Sequence, residues 1–350
     1  MLENTIAKIK ALDETAAAAA RDRQDTLTKP PGSLGRLEAL TIQIAGITGQ
    51  AIPVIKQKVI ITMAGDHGVV ADGVSAFPQD VTPEMVMNFL HGGAAINSLA
   101  RHVGARIVVV DMGVAVDMPP HPELVVKKVA HGTRSIAHGP AMTREQAIQS
   151  VQAGIEVVEA EIVRGLDIVG TGDMGIGNTT PSAAIACALT GELPARIAGR
   201  GTGLDDAGLQ HKISIIEQSL AVNKPDARDG LDVLAKVGGF EIGGLAGVML
   251  GAAAHQKPVM VDGFISTAAA MIAVTIAPAV LPYLIAAHRS QEYGHSAMLA
   301  WLGLDPLLDL HMRLGEGTGA AIGISLAEAA CKLLAEMATF AEAGVSDKPE

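Results

Sequence analysis

Short apolar runs recur along the chain, each ending on glycine or aspartate. Val59-Ile60-Ile61-Thr62-Met63-Ala64-Gly65 is the first. Arg106-Ile107-Val108-Val109-Val110-Asp111, Asp167-Ile168-Val169-Gly170 and Pro258-Val259-Met260-Val261-Asp262-Gly263 follow it. Continuous apolar runs of this length, without polar alternation, predict strands covered on both faces, as in a parallel sheet. Between them the apolar spacing changes to threes and fours. Thr143 and Gln146 form a capping box ahead of Ile148, Val151, Ile155, Val158 and Ile162. Asp205-Asp206 likewise precede Leu209, Ile213, Ile216 and Leu220. Strands alternating with helices predict an α/β fold with a parallel sheet. Such sheets bind ligands beyond the carboxyl ends of their strands, where these glycines and aspartates fall.

The two ends depart from this alternation. Residues 1–50 have a helical pattern, including an alanine run at 16–20, and break at the turn Lys29-Pro30-Pro31-Gly32-Ser33-Leu34-Gly35. From Ala320 onward Glu328, Lys332 and Glu336 recur every four residues as a solvated stripe, with Ile322, Leu326, Leu333 and Met337 opposite. Residues 1–50 and 320–350 are expected to pack as a small helical domain beside a large α/β domain, 51–319, that holds the site. Residues 264–287 carry no charge and reach the length of a membrane span, but Pro278 and Pro282 interrupt them. A buried helix near 266–276 and a buried strand near 283–286 are expected instead, with no membrane partner.

Composition narrows the function. Of 350 residues, 49% are hydrophobic but only 2% aromatic, so the core must be built of small aliphatics. A net charge of −11 and the scarcity of aromatic stacking platforms argue against nucleic acid as a partner. Cys187 and Cys331 lie far apart in alanine-rich helical patterns and are expected to be buried free thiols. Charged residues near the start, Glu3 and Lys8, leave no apolar leader, and a cytoplasmic setting is expected.

Two glycine-rich stretches open helices. Gly170-Thr171-Gly172-Asp173-Met174-Gly175-Ile176-Gly177-Asn178-Thr179-Thr180-Pro181-Ser182 follows a strand, and exposed N–H groups at such a turn form an anion site. It lacks the Gly-Lys-Ser/Thr of a Walker loop and the usual dinucleotide fingerprint. Gly199-Arg200-Gly201-Thr202-Gly203-Leu204-Asp205-Asp206 is the second, with Lys212 two turns on and outside the apolar stripe. Lys212 is either a solvated lysine or a phosphate contact. Gly175, Gly177, Asn178, Thr179, Thr180, Gly201, Thr202, Gly203 and Lys212 are therefore candidates to hold one phosphorylated ligand. Leu314-Gly315-Glu316-Gly317-Thr318-Gly319 sets a single carboxylate among glycines. Glu316 either favours the positive end of the following helix or projects into a cavity as a general base. Asp66-His67, closing the first strand, suits a structural or substrate-orienting role better than a metal, since no second ligand cluster has recognisable spacing.

These motifs, taken in order, resemble the nicotinate-nucleotide–dimethylbenzimidazole phosphoribosyltransferase family nearly end to end. The matching pieces are Lys29-Pro30 with 32–38, Asp66-His67-Gly68-Val69, 174–180, 199–203, Gly239-Phe240-Glu241-Ile242, Asp262-Gly263-Phe264 and 310–321. The resemblance implies a Rossmann-like parallel sheet, a small helical domain from both termini, a homodimer, and no metal or redox cofactor. It implies transfer of the phosphoribosyl group of nicotinate mononucleotide to 5,6-dimethylbenzimidazole in assembling the lower-ligand nucleotide of cobalamin, with Glu316 as general base. Phe77, Met85 and Leu314 resemble the wall of the base pocket, with Pro30 nearby, and Asp173 stands where many relatives carry glutamate. Another acceptor, such as a purine or a phenol, is a reading within the same class. A metal-dependent hydrolase centred on Asp66-His67 and a non-catalytic nucleotide-binding regulator are readings of other classes.

Overall fold

A computed structural model describes residues 1–201 and 203–346. Its centre is a six-stranded sheet in the order β3-β2-β1-β4-β5-β6, every pairing parallel. The strands are β1 (Lys58–Gly65), β2 (Ala105–Gly113), β3 (Leu124–Val126), β4 (Ile168–Met174), β5 (Val259–Val261) and β6 (Leu284–Ala286). The continuous apolar runs form this sheet because both of its faces are covered. Val59, Ile61 and Met63 point into the core shared with the helix Phe240–Ala254. Ile60 and Ala64 point into the core shared with the helix Thr318–Glu336.

The chain builds outward from β1 in two directions, so the strand order reverses between β1 and β4. A reversal of this kind leaves a crevice at the carboxyl ends of the two central strands. The register carries Met63 beside Asp173 and Ala64 beside Met174, which fixes the floor of that crevice. Scarcity of aromatics is compensated by backbone contact. A Cβ on Gly154 would lie 1.9 Å from the Gly244 carbonyl oxygen, so the helices Arg144–Arg164 and Phe240–Ala254 touch main chain to main chain.

Several sequence expectations change in detail. β4 does not stop at Gly170 but runs to Met174. Its glycines serve close packing rather than a turn: a Cβ on Gly170 would lie 3.1 Å from Ala320 and Ile324 side chains. In the helix Thr318–Glu336 the fully covered face is Ala320, Ile324, Ala327, Cys331 and Leu334, while Ile322, Leu326, Leu333 and Met337 are only half-buried. Ala320 and Ala327 on that face, with glycine at 170 beneath Ala320 and Ile324, let the helix lie directly on the sheet. Glu328 pairs there with both Lys332 and Lys58.

The helices Glu14–Thr26 and Arg36–Thr48 meet the end of Thr318–Glu336 around Ala20, Leu27, Ala45 and Leu334. The Arg23 Nε donates to the Leu334 carbonyl at 2.8 Å. Cys187 and Cys331 are free and buried, and burial pushes both thiols up to about 12. The uncharged stretch forms the buried helix Phe264–Ile276 and then β6. Among the described residues one helix, Thr318–Glu336, is long and apolar enough to cross a membrane, and it packs on the sheet.

Candidate active site

A cavity of about 340 Å³ opens at the carboxyl ends of the strands, beside the reversal of strand order. Asp173, Met174, Gly175, Ile176, Asn178 and Thr179 line it from the end of β4, and Gly263, Phe264 and Ile265 from the end of β5. His288, Ser290 and Glu292 follow β6, and Arg313, Leu314, Gly315 and Glu316 complete the wall. Phe77, Val81 and Met85 close the side contributed by the segment after β1.

Glu316 reaches this cavity through an unusual backbone. Its φ is +62°, a left-handed conformation that a non-glycine residue keeps only where its surroundings impose it. Its carbonyl accepts a hydrogen bond from the Thr62 hydroxyl at 3.0 Å, and a Cβ on Gly172 would lie 2.3 Å from that same oxygen. Only glycine at 172 lets the turn come down onto β4. The side chain is 6% exposed and one carboxylate oxygen accepts the Ile96 N–H, in the first turn of the helix Ala95–Val103, at 3.2 Å. Burial raises the carboxyl above the ordinary glutamate value, with the Ile96 bond opposing.

The floor is acidic. Burial, then the neighbouring charges of Asp262, Glu241 and Glu316, push the Asp173 carboxyl well above its usual range, against the stabilising Asn178 side-chain amide that donates to it at 3.0 Å. Asp262 is raised to about 7, by burial first and by Glu316 also, against N–H groups of the helix beginning at Thr318. The β6 side is held by His295. Its Nδ1 accepts the Ser290 N–H at 2.8 Å, so the proton sits on Nε2, which lies 2.8 Å from the Thr267 hydroxyl. Burial pulls this ring down to about 3, and it stays neutral.

Opposite Glu316 lies an anion cradle. The helix Thr179–Thr190 starts without a side-chain cap; the Thr180 N–H is given to the Gly177 carbonyl and position 181 is proline, so Thr179 is the residue that brings the positive end of the helix dipole to the cavity wall. Lys212 is fully buried rather than solvated. Its Nζ donates to the Thr179 hydroxyl at 2.7 Å and to the Gly199 carbonyl at 3.2 Å, tying the two glycine-rich loops together. Burial lowers it to about 8, with the Glu292 charge opposing. Gly201, at φ +53°, lies over this ammonium: a Cβ there would meet the Thr179 hydroxyl at 2.9 Å and Nζ at 3.4 Å.

Most of the residues singled out from the sequence therefore converge. Glu316, Asp173, Gly175, Asn178, Thr179, Gly201, Phe77, Met85 and Leu314 line one cavity, with Phe77 and Leu314 exposed at its mouth. Lys212 and Thr180 lie beneath the surface, and Gly177 is the turn glycine behind it, at φ +84°. Gly203 lines a neighbouring hollow that shares Gly201, Glu292 and Arg313 with the main one. Thr202 lies outside the described residues. Pro30 does not reach the cavity; it lines a separate hollow with Lys29, Pro31 and Phe340. The 29–35 turn is instead held near its own helix by Glu38, which accepts from Lys29 and from the Gly32 and Leu34 N–H groups.

Asp66 and His67 do not form a pair. Asp66 accepts the Ala115 N–H, while His67 Nε2 lies 2.8 Å from a Glu241 oxygen, ring and carboxylate both fully buried behind Gly175 of the cavity wall. Burial alone would lower this imidazole, but the adjacent Glu241 charge outweighs it and the net shift is upward. Among the described residues no three His, Cys, Asp or Glu side chains are grouped as a metal site would need. Arg313, Glu292, Ser290 and His288 were not anticipated. Arg313, whose Nη1 donates to the Gly201 carbonyl at 2.9 Å, stands two residues before the Gly315-Glu316 motif, and that proximity was the available signal.

Known proteins resemble this chain over nearly its whole length. A family model described as "Phosphoribosyltransferase" matches residues 9–345. A nicotinate-nucleotide–dimethylbenzimidazole phosphoribosyltransferase of Roseiflexus sp. (strain RS-1) is 64% identical over 350 residues, covering 100% of this chain and 99% of the relative. One from Chloroflexus aggregans is 60% identical over 350 residues, with coverage of 100% and 99%. The crystal structure of the enzyme of that name from Thermus thermophilus superposes with a TM-score of 0.91 at 44% identity, covering 96% of this chain and 100% of that one. The chain belongs to the nicotinate-nucleotide–dimethylbenzimidazole phosphoribosyltransferase family.

Proposed function

We propose that this cavity transfers the 5-phosphoribosyl group of nicotinate mononucleotide to 5,6-dimethylbenzimidazole, giving α-ribazole 5′-phosphate and nicotinate. The observation that carries the reading is a buried carboxylate, Glu316, set across one cavity from an uncapped helix start underlain by a buried lysine. The 5′-phosphate is assigned to the 175–179 turn and Gly201, with Lys212 supplying positive charge from below. The acceptor ring is assigned to the side walled by Phe77, Met85 and Leu314.

The unprotonated ring nitrogen of the benzimidazole attacks C1′ as the bond from C1′ to nicotinate breaks. The bonding electrons return to the pyridine nitrogen and the anomeric centre inverts. Positive charge gathered by the incoming ring is relieved when its second nitrogen gives a proton to Glu316. A carboxyl raised by burial is a better proton acceptor than one in water, and positioned proton transfer is worth roughly 10²–10⁴-fold in rate. Holding both reactants in line contributes further. The helical segments 1–50 and 320–350 are taken as a small domain, supported by the Ala20, Leu27, Ala45 and Leu334 cluster, in a cytoplasmic homodimer as family membership suggests.

Glu316→Gln tests the assignment. Nicotinate mononucleotide binding, followed by calorimetry, stays near normal while turnover falls at least about a hundredfold. Unchanged turnover would refute the role given to Glu316.

A further inference from the structure

We infer that Asp262 is a positioning residue for Glu316, holding the 315–317 turn from below without touching either substrate. The inference rests on the assignment of Glu316 as the base.

Asp262 follows β5 at the carboxyl edge of the sheet and is 1% exposed. It is absent from the cavity wall, so it has no direct route to a bound ligand. One of its oxygens accepts the Gly317 N–H at 3.1 Å and the other accepts the Ala320 N–H at 2.9 Å. Those donors belong to the start of the helix Thr318–Glu336, which has no side-chain cap of its own. A carboxylate 55 residues before Gly317 in the chain therefore caps this helix. Bonds from N–H groups to a charged acceptor are stronger and better directed than neutral ones.

The cap acts on the residue immediately before it. Glu316 is left-handed at φ +62°, and such a conformation relaxes unless its neighbours over-determine it. Three restraints do so here. Thr62 holds the Glu316 carbonyl, Gly172 lets the turn seat on β4, and Asp262 pins the peptide that follows. Asp262 is the only ionisable member. A hydroxyl or amide would suffice to cap a helix, yet a carboxylate is kept in an already acidic floor beside Asp173 and Glu316, with the His288 Nε2 3.8 Å away. Its two oxygens accept one N–H each, whereas asparagine would turn its NH2, a donor, toward one of those two N–H groups.

The test is a double-mutant cycle on the full chain, with Glu316→Gln, Asp262→Asn and the double variant. Asp262→Asn is expected to lower kcat about a hundredfold, because displacement of a reacting group by about 1 Å carries that cost. KM for nicotinate mononucleotide should stay within about twofold, since the phosphate loops are untouched. In the Glu316→Gln background Asp262→Asn should reduce turnover no further. Independent, multiplying losses would overturn the inference, as would wild-type kcat in Asp262→Asn. Unchanged turnover in Glu316→Gln alone would sink the assignment of the base instead, and the inference with it. Asp262→Ser is measured alongside in case the asparagine variant does not fold. Loss of the folded state in both, seen by circular dichroism, would mark Asp262 as a determinant of the fold and overturn the positioning role.

Discussion

Gly172→Ala probes how tightly the base is held. Gly172 lies within β4, with backbone angles that any residue can adopt, so alanine meets no conformational penalty there. The obstacle is steric. The added Cβ would lie 2.3 Å from the Glu316 carbonyl oxygen, 2.6 Å from its carbon and 2.9 Å from the Gly317 nitrogen. All three are main-chain atoms, so no rotamer change relieves the clash. Ordinary contact begins at 3.4 Å, which requires the turn to retreat by about 1 Å. Asp262 and Thr62 oppose that retreat. Overpacking of this kind costs about 1–3 kcal/mol of stability. The same displacement at the proton acceptor lowers kcat about a hundredfold. The assay is steady-state kcat with both substrates saturating, paired with thermal melting. Gly139→Ala, where an added Cβ meets nothing within 4 Å, serves as the control and should leave both unchanged. A Gly172→Ala enzyme with wild-type kcat would show that the turn yields freely and that its placement is immaterial to the chemistry.

Three further outcomes are expected. Glu316 is competent only when ionised, and burial raises its carboxyl above the ordinary value of 4.5, so kcat/KM should fall as pH drops through a point above 4.5; a profile flat down to that pH contradicts the assignment. Lys212, at about 8, keeps its charge below that pH and loses it above, so affinity for the anionic nucleotide should weaken as pH rises through about 8. Calorimetry on Lys212→Met should show weaker binding without that step, and parallel curves for the two proteins would rule the lysine out. Phe77 is 49% exposed at the cavity mouth, so Phe77→Ala should leave the melting temperature nearly unchanged and raise KM for the benzimidazole about two- to tenfold; an unchanged KM would remove Phe77 from the acceptor wall.

Local pattern determined a good deal by itself. Continuous apolar runs gave β1, β2, β4 and β5, because a strand covered on both faces leaves an unbroken signature. The Thr143 capping box opens the helix Arg144–Arg164, and Asp205 caps the helix Asp206–Asn223 by accepting the Gly208 N–H, since caps are interactions across three residues. Glu316 and the two glycine loops were legible because each is written in consecutive residues. What the sequence left open involves partners far apart. Lys212 falls off the apolar stripe of its helix, yet it is buried because Thr179 and Gly199 come from elsewhere to meet it. His67 and Glu241, 174 residues apart, sit in motifs with no visible reason to meet. The covered face of the helix Thr318–Glu336 differs from the one its spacing predicts because the sheet covers Ala320, Ile324, Ala327 and Cys331 and the N-terminal helices cover Leu334, partners that lie far away in the chain. The glycines of β4 resembled a turn because a missing side chain looks the same whether it frees the backbone or admits a neighbour. Residue spacing encodes which face of an element is apolar; which element then covers that face is fixed only when the strand order brings distant segments together.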